Sequence, residues 1–414
     1  MNRTDLIHHL MVLSYGMTLV SSSVMAETTM PVSSTQDLSA AIEKINYIAT
    51  KNTDLRLSGY VDAGYIYNFT GNDQVANRFP TDGQRAGDFN LNAVKLTFDK
   101  PLTYDNELQA GFRTDLMLGE DAGKGNQASA FSMEQAYVIF RLPLGNGLDV
   151  RIGKFASWLG YETMERPGNV NITYSQMYTF LPVTMTGVSF TYPINDRADM
   201  GWAVGNGVKA DNVGSFDSDD GYGIMAMVKY RPPGDRSYWQ NSVYYSWDSA
   251  YELANGQGHN NSNAVIYDSL FNWVPQFAGN MLLLGASVDL GYAENSDSGD
   301  GVLNNTSSTL WGLAVYTKYQ LTAIFSLAGR IAYLHTNDPG AFYGNTSSGW
   351  LNTGTQDTWS FTLTSRFDLA ENLSLRVEYR ADLGNDSTYY TNGVNTYTGN
   401  GMAQTIALEA VYSF

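Results

Sequence analysis

The sequence predicts an all-β fold: a transmembrane, antiparallel, up-and-down β-barrel of sixteen strands with a short amino-terminal helix. Three observations carry this. From Leu55 onward apolar and polar residues alternate with a period of two. The joints between alternating segments switch strictly between tight turns and long polar loops. No stretch after residue 30 supplies the roughly 18 consecutive apolar residues that a membrane helix needs. A barrel strand is apolar on one face only, so low mean hydropathy and residence in a membrane are compatible.

Composition agrees and narrows the function classes. Among 414 residues, 40 Gly and 28 Tyr favour strands joined by many turns. Cysteine is absent, which removes disulfides, thiolate metal sites and cysteine nucleophiles. A formal charge of -17 opposes binding of nucleic acid through its phosphates. It suits a surface that meets cations and lipopolysaccharide in an outer membrane.

The pattern divides the chain into three parts. Residues 1–26 read as a secretory signal: Arg3 precedes an apolar core from Leu10 to Val20, and Val24-Met25-Ala26 offers small residues for cleavage after Ala26. Residues 27–54 form a periplasmic or lumenal segment. There Leu38, Ile42, Ile45 and Ala49 fall at helical spacing behind Ser34 and Asp37. Residues 55–414 are the barrel.

Strands are expected near 55–70, 89–99, 104–117, 133–143, 148–155, 183–193, 198–206 and 222–230. Eight more are expected near 238–248, 262–274, 280–293, 309–319, 323–336, 357–368, 373–383 and 402–414. Tight joints such as Lys100-Pro101, Leu144-Gly145-Asn146-Gly147, Ile194-Asn195-Asp196 and Leu369-Ala370-Glu371 alternate with long Gly/Asn/Asp/Ser loops. Short periplasmic turns, long external loops and an even strand count are the marks of outer-membrane barrels.

Between Leu373 and Leu383 the apolar face alternates with Ser374, Arg376, Glu378, Arg380 and Asp382. Trp202, Trp239, Trp247, Trp311, Trp359, Tyr192, Tyr230, Tyr319 and Tyr379 share the apolar parity and gather near strand ends, as interfacial girdles do. The last strand ends on Phe414, like the carboxy-terminal signal that the outer-membrane assembly machinery reads.

Val150-Arg151-Ile152-Gly153-Lys154-Phe155, Leu159-Gly160-Tyr161-Glu162, Asn171-Ile172-Thr173-Tyr174-Ser175 and Thr186-Gly187-Val188 resemble the OmpL-like β-barrel porins. The resemblance runs from the first strand to the last and is best between Gly59-Tyr60 and Tyr192-Pro193. Two departures stand out: an inserted Ile172-Thr173 before the Tyr-Ser pair, and Met185 where members often have His. The resemblance implies a porin by class and names no solute.

Sorted by parity, the polar face carries Arg56, Lys95, Arg113, Arg141, Arg151, Lys229, Lys318, Arg330, Arg366, Arg376 and Arg380. Its acids are Asp62, Glu107, Asp115, Asp149, Asp289, Glu378, Asp382 and Glu409. A lumen this charged must be wet, because burying unpaired charges costs several kcal/mol each. Sixteen strands leave room for an aqueous channel.

The negative excess therefore falls in the loops, for example at Glu120, Asp121, Asp217, Asp219, Asp220, Asp297 and Asp300. The long loop from Ala156 to Pro182 is the candidate eyelet. Glu162, Glu165 and Arg166 are expected to line a constriction facing Arg113, Arg141 and Arg151.

Passive diffusion of small hydrophilic solutes follows as the expected activity. It implies neither cofactor nor energy source, and trimerisation is the expectation carried by the class of large porins. The rival reading is a structural or adhesive outer-membrane barrel, its lumen plugged by side chains and the helix; a soluble secreted all-β protein is a third. An enzyme is not expected. His259 and His335 are the only histidines after residue 26, and neither sits in a nucleophile motif. Ser218-Asp219-Asp220-Gly221 and the stretch from His259 to Asn263 lack the spacing of a calcium loop, so no metal is implied.

Overall fold

The computed structural model describes residues 54–69, 87–103, 105–122, 131–207, 222–232, 236–247, 263–295, 306–337, 356–384 and 402–414. The signal segment, the expected helix of residues 27–54 apart from Asp54, and the acidic stretches at 217–220 and 297–300 lie outside them.

Sixteen antiparallel strands close into one barrel, each bonded to its neighbours in sequence and β1 to β16. They are β1 (Arg56–Asn68), β2 (Phe89–Lys100), β3 (Gln109–Leu118), β4 (Phe131–Leu142), β5 (Leu148–Ala156), β6 (Thr184–Asn195), β7 (Ala198–Asn206) and β8 (Tyr222–Tyr230). The circle continues with β9 (Tyr238–Trp247), β10 (Ala264–Trp273), β11 (Leu282–Asn295), β12 (Thr306–Gln320), β13 (Phe325–Thr336), β14 (Gln356–Ala370), β15 (Leu373–Gly384) and β16 (Met402–Ser413). Closure leaves no open edge, as a membrane-spanning sheet requires.

The seam is finished by the chain end itself. Gly59 N donates to Phe414 O and Phe414 N to Gly59 O, both at 2.9 Å. The terminal residue is thus part of the ladder between β1 and β16.

Connections at one end of the barrel are short, from residues 371–372 up to 101–108, and those at the other end are long, up to 157–183. Side chains hold the short ones. Asn195 Oδ1 accepts from Arg197 N at 2.9 Å between β6 and β7, and Asn372 takes the left-handed conformation, φ 68°, between β14 and β15.

The largest boundary error is at β3, which begins at Gln109 rather than near 104. Gln109 Oε1 accepts from Thr103 N and Thr103 Oγ1, and Gln109 Nε2 donates to Asp105 O. This side-chain brace replaces ladder bonds over the turn. Glu107, expected on the polar face of a strand, is therefore an exposed turn residue.

Burial runs inside out. In β12, Leu313 and Val315 point outward at 44% and 49% exposure, while Ala314 and Tyr316 between them are buried at 0% and 1%. On β13 and β14 Ile331, Phe361 and Leu363 are likewise exposed, and Arg330 is buried. An apolar surface encircling the molecule matches a lipid environment. Tyr230, Trp239 and Tyr319 flank this belt toward the short turns, and Trp311 and Trp359 toward the long loops, all exposed.

Placing a charge on that belt provides a test. Val315→Arg, midway between Trp311 and Tyr319, should cost about 2–4 kcal/mol, the depth-dependent penalty for a lipid-facing arginine. Reversible denaturant unfolding in phospholipid vesicles would measure it. A change near zero would show that this face does not meet lipid.

Candidate functional site

The connection between β5 and β6 folds into the lumen. At its base Ser157 N donates to Val183 O at 2.9 Å, so the chain leaves and re-enters the wall at one place. A short 3-10 turn at Arg166–Gly168 and another at Met177–Phe180 shape it. Asn169 braces the first bend: its Oδ1 accepts from Thr163 N and its Nδ2 donates to Thr163 O.

One flank of the loop packs on β7 to β12. Trp158 O accepts from Gln240 Nε2 and Ser242 Oγ, both at 2.8 Å. Tyr161 stacks on Tyr316 with ring centroids 4.2 Å apart and donates to Asn272 Oδ1 at 2.9 Å. Three inward glycines make room for this flank. A Cβ at Gly201 would stand 2.8 Å from the Trp158 ring, one at Gly285 would stand 2.3 Å from the Tyr161 hydroxyl, and one at Gly312 would stand 2.7 Å from Met177. Trp158, Leu159, Met177 and Leu181 of the loop join Met185, Met225, Tyr244 and Tyr316 of the wall in one apolar cluster inside the barrel.

The tip reaches β13, β14 and β15. Glu378 accepts from Ile172 N at 2.5 Å, from Thr173 N at 3.1 Å and from Thr173 Oγ1 at 2.5 Å. Arg376 donates to Asn169 O at 2.9 Å and Arg380 to Tyr174 O at 2.7 Å. Asn171 Nδ2 donates to Thr364 Oγ1 at 2.8 Å. Glu162 closes the loop on itself and on the wall, accepting from Ser175 N at 2.8 Å and from Arg330 at 2.5 Å.

The middle of the loop meets β2 and β3. Glu165 pairs with Lys95 at 2.5 Å and Arg113 at 3.1 Å, and Lys95 also pairs with Glu134 at 2.9 Å and Asp115 at 3.3 Å. Burial lifts the Glu165 carboxyl above its ordinary range, while Lys95 and Arg113 pull it back. Arg166 pairs with Asp121 at 3.1 Å and lies 4.5 Å from the ring centroid of Tyr174, which stacks on Tyr178 at 3.8 Å.

Several charges on the polar face of the strands are buried and paired with one another. Asp62 accepts from Asn92 at 2.9 Å, and Arg113 pairs with Asp115 at 2.8 Å. Arg366 pairs with Asp368 at 2.8 Å, Arg376 with Glu409, and Arg380 with Asp382 at 2.9 Å. Arg56 stands opposite Asp99 in the ladder.

One expectation about the eyelet and one about the acidic loops need correction. Arg141 does not face the loop: it pairs with Asp149 at 2.7 Å and donates to Thr103 O at 3.0 Å, at the short-turn end. Asp121, expected among the loop acids that carry the negative excess, is fully buried against Arg166. Sequence reasoning also missed that Arg330, Arg376, Glu378 and Arg380 are the loop's partners. For the opposite flank a steric signal was available: Gly201, Gly285 and Gly312 leave gaps on the polar face of their strands, where Trp158, Tyr161 and Met177 sit.

Residues 54–414 match the family model described as "Putative beta-barrel porin-2, OmpL-like". Among curated proteins none matches by sequence. Three solved structures share the architecture. OmpF of Salmonella typhi, in complex with daunomycin, has a TM-score of 0.56 at 13% identity, over 89% of this chain and 100% of that one. The outer membrane channel DcaP of Acinetobacter baumannii has a TM-score of 0.55 at 14% identity, over 89% and 99%. OmpT of Vibrio cholerae, in a trimer form, has a TM-score of 0.54 at 9% identity, over 87% of this chain and 99% of that one.

The Glu162–Arg330 pair gives a stability test. Glu162→Ala leaves the buried Arg330 guanidinium without its carboxylate and should cost about 3–5 kcal/mol. Replacing both residues with Met should recover most of that loss. Equilibrium unfolding of the single and double variants decides it, and equal losses in the two would mean that the pair is not what the loop rests on.

Proposed function

The chain belongs to the OmpL-like beta-barrel porin-2 family, and we propose that it serves the outer membrane as a narrow passive-diffusion channel whose aperture is set by the 156–182 loop. The observation that carries this reading is the loop's attachment to opposite sides of the lumen, to Gln240 and Ser242 on β9 and to Glu378 on β15. A loop tied at both flanks narrows the passage without filling a sixteen-stranded bore.

In this reading Glu162, Glu165 and Arg166 form the loop's charged edge. Lys95, Arg113 and Arg330 hold it from the wall. Arg151 borders the space left beside the loop, together with Tyr137 and Lys229. Small hydrophilic solutes and ions would cross that space by diffusion, with fixed charges of both signs biasing their passage. The barrel acts as a conduit, with no enzymatic step and no cofactor.

The signal is cleaved after Ala26, and the assembly machinery reads the strand ending in Phe414. The apolar belt meets lipid and lipopolysaccharide. Three copies associate, as the trimer form of the Vibrio cholerae barrel suggests for this architecture.

Planar-bilayer recording of the refolded mature protein tests the proposal. Discrete ohmic steps are expected, and replacing Glu162, Glu165 and Arg166 together with Ala should raise the step size about two-fold or more, because the loop is released from the wall. Heat-modifiable migration would verify that the variant barrel is folded. Silence from both proteins would favour a structural barrel with a closed lumen. Equal steps from both would remove the loop from its role in setting the aperture.

A further inference from the structure

Beneath the Trp158–Glu165 stretch of the loop lies a cavity of about 150 Å³ on the inner wall, bordered by Arg113, Tyr137, Arg151, Lys229 and Tyr238. Three cations therefore surround one small space. The two loop carboxylates in its lining are already engaged: Glu162 by Arg330 and Ser175, Glu165 by Lys95 and Arg113. Arg113 is satisfied by Asp115 and Glu165.

Arg151 and Lys229 are different. Arg151 is 8% exposed, and its Nε is buried with no hydrogen-bond partner. Among the described residues neither cation has an ion pair. Asp149, opposite Arg141 in the ladder, bonds that guanidinium through both oxygens. Asp199, the ladder partner of Lys229, pairs with Arg231. What the two cations do have is a ring apiece: Arg151 lies 5.6 Å from the Tyr137 centroid and Lys229 lies 4.2 Å from that of Tyr238. A ring face orients a cation and leaves its outer donors available. Two largely buried cations without carboxylates call for an anion.

The rest of the lining sets the kind of anion. Trp158, Leu159, Leu181, Pro182 and Leu270 give the cavity an apolar side. The volume is that of an apolar cavity which accepts benzene. We propose that this cavity is a binding site for a small organic anion with an apolar body, an aryl carboxylate in the first instance, whose carboxylate is held by Arg151 and Lys229. The site rests on the diffusion-channel reading for how its ligand arrives, and it makes the aperture a selective one.

Fluorine NMR of 4-fluorobenzoate with the refolded barrel in detergent micelles tests the site, since it requires no current. Saturable binding is expected, at least about tenfold tighter than that of the neutral 4-fluorobenzamide, and Arg151→Gln or Lys229→Gln should each weaken it by about tenfold. Heat-modifiable migration checks that each variant is folded. Amide binding as tight as benzoate, or benzoate binding unchanged in both variants, would overturn the proposal. Displacement by acetate as effective as by unlabelled benzoate would overturn the apolar part of it. Binding by a barrel that carries no current would sink the diffusion-channel reading and leave the site standing; a conducting barrel that binds no benzoate would do the reverse.

Discussion

A loop that enters a barrel brings its backbone N–H and C=O groups with it, and those groups must find partners there. Glu378 is where this demand is met most directly. Its carboxylate takes the amides of Ile172 and Thr173 together with the Thr173 hydroxyl. On either side along the same strand, at the period of two, Arg376 and Arg380 donate to the carbonyls of Asn169 and Tyr174. An acceptor between two donors on the wall thus matches amides between two carbonyls on the loop. Each charge has a further partner, Glu409 for Arg376 and Asp382 for Arg380, so the wall remains close to neutral where the loop docks.

The same requirement explains why the lumen is built in two halves. On the side of β2, β3 and β13 to β15 the loop is held by ion pairs and backbone hydrogen bonds. On the side of β7 to β12 it is held chiefly by shape, with Trp158, Tyr161 and Met177 seated over glycines and packed into an apolar cluster, and by hydrogen bonds at Trp158 O and the Tyr161 hydroxyl. The polar half fixes register, because a carboxylate and two guanidiniums accept only one alignment. The apolar half supplies burial that does not depend on direction. Lipid on the outside cannot compensate a polar group, so all of this charge must be reconciled within the circle of strands.

Much of the fold is legible in the sequence because its two signals are local. Alternation at a period of two marks each strand, and turn chemistry such as Asn195-Asp196 or Glu371-Asn372 marks each short joint. The start of β3 escaped because Gln109 braces its turn with a side chain, which carries no periodic trace. The loop's partners escaped for a different reason. Parity tells which face a residue occupies, whereas the angular position of a residue around a closed circle depends on the whole ring of strands. Arg141 on β4 and Arg151 on β5 both precede the loop closely in sequence, yet only Arg151 lies beside it; Glu378 is 205 positions from Thr173 and touches it. The Ile172-Thr173 pair is the tip that Glu378 holds.

The loop's tip rests against β14 and β15 inside the barrel. Because the chain has no cysteine, a pair introduced at Asn171→Cys and Thr364→Cys, whose present side chains are 2.8 Å apart, would be the only thiols. A short bifunctional thiol reagent should join them rapidly in the folded barrel within native outer membrane and not in the denatured chain. Free labelling of the residue 171 thiol from outside the cell, with no cross-link, would contradict a loop folded into the lumen.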